Sequence, residues 1–348
     1  MNARLPGGGG VLIARLQTLA NRLTSQHLNG RSIEQVSVIV LGSLNMDLVA
    51  QVSRLPKPGE TISGQNFTTV PGGKGANQAV AVARLGIETA MIGRVGNGSF
   101  GKTLCDGLST DGIDISGVSV SPETPSGTAL IAVAPQDNQI IVVPGANGEV
   151  GDRELAQLKT AVKSASILLL QFEIPSEVGQ AAAAIAHAAG LIVIVDPAPA
   201  RGPLPDKFCQ HISILTPNQT EAGLLTGKEV IDVESAMDAA RTLHQQGVQS
   251  VVVKLGELGS VCVTADGAFT TPAYPMPVID TVAAGDAFNG GLAAALHRAN
   301  IRAPLSLADL MPASAYASAV AAIAITRSGA QPSMPTQSEV DTFLYTRR

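Results

Sequence analysis

Short apolar runs alternate with helical stretches along this chain. Residues 36–41, 89–95, 166–170, 191–195, 212–215 and 250–254 are rich in Val, Ile and Leu. Several are continuous, without the polar–apolar alternation of a half-exposed sheet, so they predict strands covered on both faces. Helical periodicity predicts helices over 77–85, 153–163, 176–189, 233–246 and 285–298. The uncharged stretch 178–195 changes texture midway, from Ala-rich to Leu-Ile-Val-Ile-Val, and predicts a helix feeding a buried strand rather than a membrane span. The repeated strand–helix–strand order predicts an α/β fold with a doubly wound, mostly parallel sheet. Residues 50–69 and 118–143 break the rhythm, being strand-like with Pro and Gly and no helical pattern. They predict a small β-sheet lid built from about 48–71 and 118–143.

The first 35 residues differ from the rest. Gly7 to Gly10 form a glycine run, then Leu12, Leu16, Leu19 and Leu23 recur at helical spacing. Arg4, Arg15, Arg22 and Arg31 precede the first acid, Glu34. This segment reads as an N-terminal extension, with an organellar leader as the alternative. Residues 36–348 then form one α/β domain, and 348 residues are enough to bury a core without disulfides or a structural metal.

Composition narrows the function. Acids number 28 and bases 23, a net charge of −5, which argues against an electrostatic nucleic-acid binder. Aromatics are 3% and Trp is absent, so a base-stacking platform is not expected. Cys105, Cys209 and Cys262 are far apart and form no C-x-x-C, which points to a reducing compartment and the cytoplasm. His27, His187, His211, His244 and His297 fall in no metal-ligand spacing.

Three segments carry candidate chemistry. Gly96-Asn97-Gly98-Ser99-Phe100-Gly101-Lys102-Thr103 fits the phosphate-cradling P-loop, G-x-x-x-x-G-K-[ST], and also G-x-G-x-x-G. Under the P-loop reading, the apolar run 191–195 ending in Asp196 resembles a magnesium-holding strand. The competing reading is a tight strand-to-helix turn that needs small residues. Pro71-Gly72-Gly73-Lys74-Gly75-Ala76-Asn77-Gln78 lacks the Ser or Thr of a P-loop, but its glycines let backbone approach a ligand and its lysine can meet an oxygen. Asp280-Thr281-Val282-Ala283-Ala284-Gly285-Asp286-Ala287-Phe288-Asn289-Gly290-Gly291 opens an Ala-rich helix with small residues. Free N–H groups at such a start make an anion hole. Asp286 then reads either as a base for a hydroxyl attacking a phosphoryl group or as a helix cap.

The last two segments resemble the two signatures of the ribokinase-type (PfkB) carbohydrate kinases. Gly42-Ser43-Leu44-Asn45-Met46-Asp47 resembles the strand-end sugar motif of that family. Asp196-Pro197-Ala198-Pro199-Ala200, Thr216-Pro217-Asn218-Gln219-Thr220-Glu221 and Arg327-Ser328-Gly329-Ala330-Gln331-Pro332-Ser333 resemble its ribokinase-type members in particular. The likeness covers about residues 36–345 through six motifs in order. In that family the segment Gly96 to Thr103 has no phosphate role.

The resemblance implies transfer of the γ-phosphate of ATP to the 5-hydroxyl of D-ribose. Asp286 would be the catalytic base, with the N–H of Gly285 and its neighbours stabilising the transferring group. Asn45, Asp47, Gly73, Lys74, Asn77 and Glu173 would bind ribose. Asn218 and Glu221 would organise Mg2+ and phosphate through water. Lys254, Leu255, Gly256, Glu257, Leu258 and Gly259 would form the nucleotide loop, with Lys254 where many relatives carry Thr, and Ser318 would lie near the adenine. A K+ ion would meet Asp280, Val282, Ala324, Arg327, Gly329 and Ser333, mostly through carbonyls. A homodimer joined through the β lid is implied as well. The alternatives are a related kinase for deoxyribose, fructose or a nucleoside, and a non-catalytic sugar binder, which would be expected to have lost Asp286 or the glycines.

Overall fold

Strand β1 (Ser37–Leu41) shows why the central sheet is buried on both faces. Val38 and Val40 point into one hydrophobic cluster, Ile39 and Leu41 into another, and all four are fully buried. The structure, a computed structural model, describes residues 37–135 and 137–347. The expected extension of residues 1–35 lies outside the described residues.

From β1 the chain makes β2 (Asn45–Gln51) and β3 (Asn66–Gly72), helix α1 (Lys74–Arg84), β4 (Thr89–Gly96), α2 (Ser99–Thr110) and β5 (Asp114–Ser121). Strands β6 (Gly127–Ala134) and β7 (Asp137–Val143) follow, then α3 (Asp152–Ala161), β8 (Ala165–Gln171), α4 (Ser176–Ala188), β9 (Ile192–Asp196) and the short α5 (Asp206–Cys209). The second half holds β10 (Ile214–Leu215), α6 (Gln219–Thr226), α7 (Val233–Gln245), β11 (Ser250–Lys254), β12 (Ser260–Thr264) and β13 (Gly267–Thr271). It closes with α8 (Ala284–Arg298), α9 (Leu307–Ala324) and α10 (Gln337–Tyr345).

The main sheet has nine strands in the order β13-β12-β11-β10-β9-β8-β1-β4-β5. It is parallel except where β12 pairs antiparallel with β11 and with β13. Strand order reverses around β1, which lies between β8 and β4, so a crevice opens there at the carboxyl ends of the strands. Helices α1, α2, α8 and α9 pack on one face and α3 to α7 on the other. Helix α8 reaches close to α1 because Gly290 has no side chain: a Cβ there would lie 2.4 Å from Ala81 Cβ. Helix α9 is long and apolar enough to cross a membrane by length and composition, yet most of it is buried in this core.

The predicted lid is present as a second sheet, β3-β2-β6-β7, but its membership is corrected. Residues 118–121 belong to β5, which pairs parallel with β4 at the edge of the main sheet. The lid strands are 45–51, 66–72, 127–134 and 137–143. A run of alternating β character does not say which sheet it joins; pairing partners decide that. The predicted strand 212–215 is regular only over Ile214–Leu215.

Candidate active site

The carboxyl ends of β1, β8, β9 and β11 meet the starts of α1 and α8 in the crevice. Asp286 sits in the first turn of α8, 4% exposed. It is not a cap: the residue before the helix is Ala283, held in the left-handed region at φ 59°, with no side-chain cap. That conformation is strained for a residue with a Cβ. It turns the chain so that the small residues Ala284 and Gly285 open the helix. Asp286 Oδ2 accepts from Asn77 Nδ2 at 3.0 Å, and its Oδ1 accepts from Gln78 Nε2, also at 3.0 Å. Both donors lie on α1, so helix packing aims the carboxylate. Burial pushes Asp286 up to about 6; Lys74 opposes this, the charge of Asp196 adds to it, and the Asn77 and Gln78 bonds oppose it.

The sugar-side residues converge on the same crevice. Glu173, just past β8, accepts from Ser43 Oγ at 2.5 Å and from the Lys74 N–H at 3.1 Å. Asp47 lies in β2 opposite Val70, and burial with the charges of Glu173 and Asp286 pushes it up to about 7. Its carboxylate lies over Gly72, where a Cβ would come 2.3 Å from Oδ2. Gly73 follows at φ 89°, and a Cβ there would strike the backbone N of Asn45 at 2.7 Å. These two glycines are therefore demanded by close approach and by a positive φ. Asn147 fixes Asn45: its Nδ2 donates to Asn45 Oδ1 at 2.7 Å while its Oδ1 accepts from the Leu44 N–H at 2.9 Å. Burial works against the Lys74 charge, but Asp286, Asp196, Glu173 and Glu221 together hold its pKa above the usual lysine value. Among the described residues, the buried acceptors Asn77 Oδ1 and Gln171 Oε1 have no protein partner, which suits a ligand rich in hydroxyl donors.

On the other side, Asn218 and Glu221 form a reciprocal capping box at the start of α6, with both bonds at 2.8 Å. Burial and Asp196 raise the Glu221 pKa, opposed by Lys254, the Asn218 N–H and Lys74. Lys254 ends β11 and donates to Asp196 Oδ1 at 3.0 Å. Leu255 is buried, Gly256, Glu257 and Leu258 form a single 3-10 turn, and Gly259 closes it at φ 86°. Ser318 lies on α9, nearly buried. Asp280 joins two loops, its Oδ1 accepting from the Val282 N–H and its Oδ2 from the Gly329 N–H, each at 2.9 Å. Ala324 ends α9, and Ser333 Oγ donates to the carbonyl of Ala330. The guanidinium of Arg327 points away to Glu339.

The P-loop reading is overturned by packing. The Gly96 N–H is bound by Ser126 Oγ, and a Cβ on Gly96 would strike the backbone of Thr124 and Ser126. The strand end of the loop is thus closed by the chain itself, and its tip, Asn97 to Ser99, faces outward. Lys102 is on the outer face of α2, paired with Asp106 one turn on, and both side chains are exposed. Gln78, Ser43, Gln171 and Asn147 also line the crevice, although sequence reasoning gives them no role; Gln78 and Ser43 sit inside quoted motifs, and Gln171 ends β8, so strand-end polarity is the available signal. Asp196 is there too, paired with Lys254 rather than serving a P-loop.

A doubly wound sheet, a β lid over its switch point and a buried carboxylate beside an open helix start define a kinase acting on a small hydroxyl compound. Comparison with known proteins makes that class specific. The pfkB family of carbohydrate kinases matches residues 35–337. Ribokinase of Haemophilus influenzae is 39% identical over 309 residues, covering 88% of this chain and 98% of that one. Ribokinase of Bacillus subtilis is 35% identical over 308 residues, covering 88% and 99%. The structure of Arabidopsis thaliana ribokinase complexed with ribose and ATP superimposes with a TM-score of 0.80 at 33% identity, covering 89% of this chain and 98% of that one. The chain belongs to the pfkB family of carbohydrate kinases.

Proposed function

We propose that this protein transfers the γ-phosphoryl group of ATP to O5 of D-ribose. The observation that carries the reading is Asp286, a buried carboxylate at the start of α8 held by Asn77 and Gln78. The ribose 5-hydroxyl gives its proton to Asp286 as its oxygen attacks phosphorus, and the leaving group is ADP. The Gly285 N–H at the helix start takes up charge on the transferring group, while the Ala284 N–H is held by the carbonyl of Thr281. Asp47 and Glu173 accept hydroxyl protons of the sugar, and Asn45, Asn77 and Lys74 orient it, with the Gly73 backbone close against it. The Lys254 to Gly259 loop and Ser318 face the nucleotide.

Two ions belong to this reading. The oxygen-only donors of Asn218 and Glu221 suit the water shell of Mg2+, which neutralises triphosphate charge when bound. Asp280 spends one lone pair per oxygen on backbone N–H groups and keeps the others. With the carbonyls of Val282, Ala324, Arg327 and Gly329, and Ser333, it makes a hard-oxygen set fit for K+.

The lid supports a homodimer. Every residue of β7 is exposed, and Ile140, Ile141, Val142 and Val143 form an uncovered apolar strand beside Leu130 and Val133 of β6. A second copy of the lid would cover it; Ile141→Glu should give monomers in sedimentation, and an unchanged monomeric state for both proteins would refute the dimer. The proposed location is the cytoplasm, where the unpaired Cys105, Cys209 and Cys262 stay reduced; recovery of the protein in an organellar fraction would overturn it.

The deciding experiment is a substrate panel of ribose, deoxyribose, fructose and adenosine, each with ATP and Mg2+. Ribose should give the highest kcat/KM, and the product should be the 5-phosphate. Preference for another acceptor would reject the ribose assignment.

A further inference from the structure

Lys254 and Asp196 form a charge pair whose position is unusual. The pair joins the ends of β11 and β9, with side chains only 15% and 3% exposed. The same ammonium lies 3.2 Å from the point that a Cβ on Gly285 would occupy. The cation therefore overhangs the first turn of α8, where the N–H groups await a phosphoryl group. The other oxygen of Asp196 accepts from Gln78 Nε2 at 3.1 Å, the nitrogen that also donates to Asp286. Gln78 Oε1 accepts from Gln171 Nε2 at 2.7 Å, which fixes the orientation of the amide. A buried chain thus runs from Lys254 through Asp196 and Gln78 to the base.

A lysine that served only to neutralise Asp196 would have no reason to project over an anion hole. A hydroxyl at this position would offer a neutral donor; an ammonium brings a full positive charge on a flexible stem. Asp196 keeps that charge in place and compensated while the hole is empty.

We propose that Lys254 is a phosphoryl-binding catalytic residue, held on Asp196 in the free enzyme and transferred to the non-bridging oxygens of the γ-phosphoryl group when ATP binds. Asp196 then keeps Gln78 as its donor, so it is not left bare. The inference rests on the kinase reading of the α8 start.

The test compares wild type, Lys254→Met, Asp196→Asn and the double variant. Lys254→Met should lose about 100-fold in kcat, the scale of deleting one preorganised donor to transition-state charge, with the ribose KM little changed. It should weaken binding of a non-hydrolysable ATP analogue more than binding of ADP, read by calorimetry. Asp196→Asn should lose at least about tenfold less than Lys254→Met, because the ammonium remains. The double variant removes both charges together, so no buried charge is left unpaired, and it should stay within about threefold of Lys254→Met. If Lys254 only neutralises Asp196, the double variant recovers wild-type turnover, and the proposal is overturned. Equal loss of ATP-analogue and ADP binding overturns it too. Should wild type fail to phosphorylate ribose, the ribose assignment falls, while the ratio of the two nucleotide affinities still decides the role of Lys254.

Discussion

Asp286→Asn keeps the volume of the side chain and removes the proposed base. The two oxygens of Asp286 accept from two amide donors, so an asparagine must turn its own NH2 toward one of them. Gln78 cannot flip freely to compensate, because its oxygen is held by Gln171. Loss of general-base catalysis should lower kcat by about 10²–10⁴-fold, equivalent to roughly 3–5 kcal/mol of transition-state stabilisation. The pH dependence is a sharper check. Asp286 works ionised and is pushed up to about 6, first by burial. At saturating ribose, where the titration of Asp47, pushed up to about 7 in the free enzyme, falls into KM, wild-type kcat should rise with pH through about 6 and at pH 5 stand near a tenth of its plateau. The variant should lose that limb. Stability has the opposite sign. Because the folded pKa lies above the ordinary 3.8, the native state holds the proton between those values. The stability from this group is full below about 3.8 and is lost as pH rises through about 6, by ~3 kcal/mol. The Tm of the variant relative to wild type should therefore rise between pH 4 and pH 7. A continuous assay of ADP release from pH 4.5 to 8, with thermal melts at the same pH values, reads all of this. Turnover near wild type, or an acid limb that survives in the variant, would refute the base assignment.

Asp47→Ala should raise the ribose KM by about 10–100-fold, the cost of one lost hydrogen bond to a charged group, and leave the ATP KM nearly unchanged; equal change in both would point to a general defect. Lys102→Ala removes only an exposed ion pair and should stay active with stability within about 0.5 kcal/mol of wild type. Gly285→Val places a side chain against Lys254 and in the anion hole, and should cost at least about 100-fold in turnover; the reverse pattern would revive the P-loop. K+ should activate the enzyme and Asp280→Ala should abolish the response, since Asp280 ties the two loops of that site together. Equal rates when a large organic cation replaces K+ would count against it.

The chain's own pattern determined a good deal. Continuous apolar runs require a sheet covered on both faces, and the five helices and six strands lie within a few residues of where periodicity puts them. The glycines around Lys74 and the acid at a small-residue helix start are readable because close approach and helix N-termini restrict residue type locally. Helix α9 has no counterpart in the periodicity because it is Ala- and Ser-rich and apolar all round, so it has no distinct face. Local pattern cannot assign 114–121 to the main sheet, because it carries no pairing partner. Packing alone settles that the glycine loop before Lys102 is closed at Gly96 by the segment Thr124 to Ser126, although its spelling fits a phosphate cradle.

The chemistry divides along the same line. Residue type and spacing marked Asp286, but only tertiary structure set its basicity, by burying it against Asn77 and Gln78 and near Asp196. Nothing local connects Ser43 to Glu173, Asn147 to Asn45, or Lys254 to Asp196; the first and last pairs form because parallel strands bring their carboxyl ends to one edge of the main sheet, and the middle one because the turn after β7 folds back onto the start of β2. A sequence can specify which groups exist and which backbone each demands. The distances between groups far apart in the chain, and the fields they exert on one another in a place with little water, exist only once the sheet has closed around them.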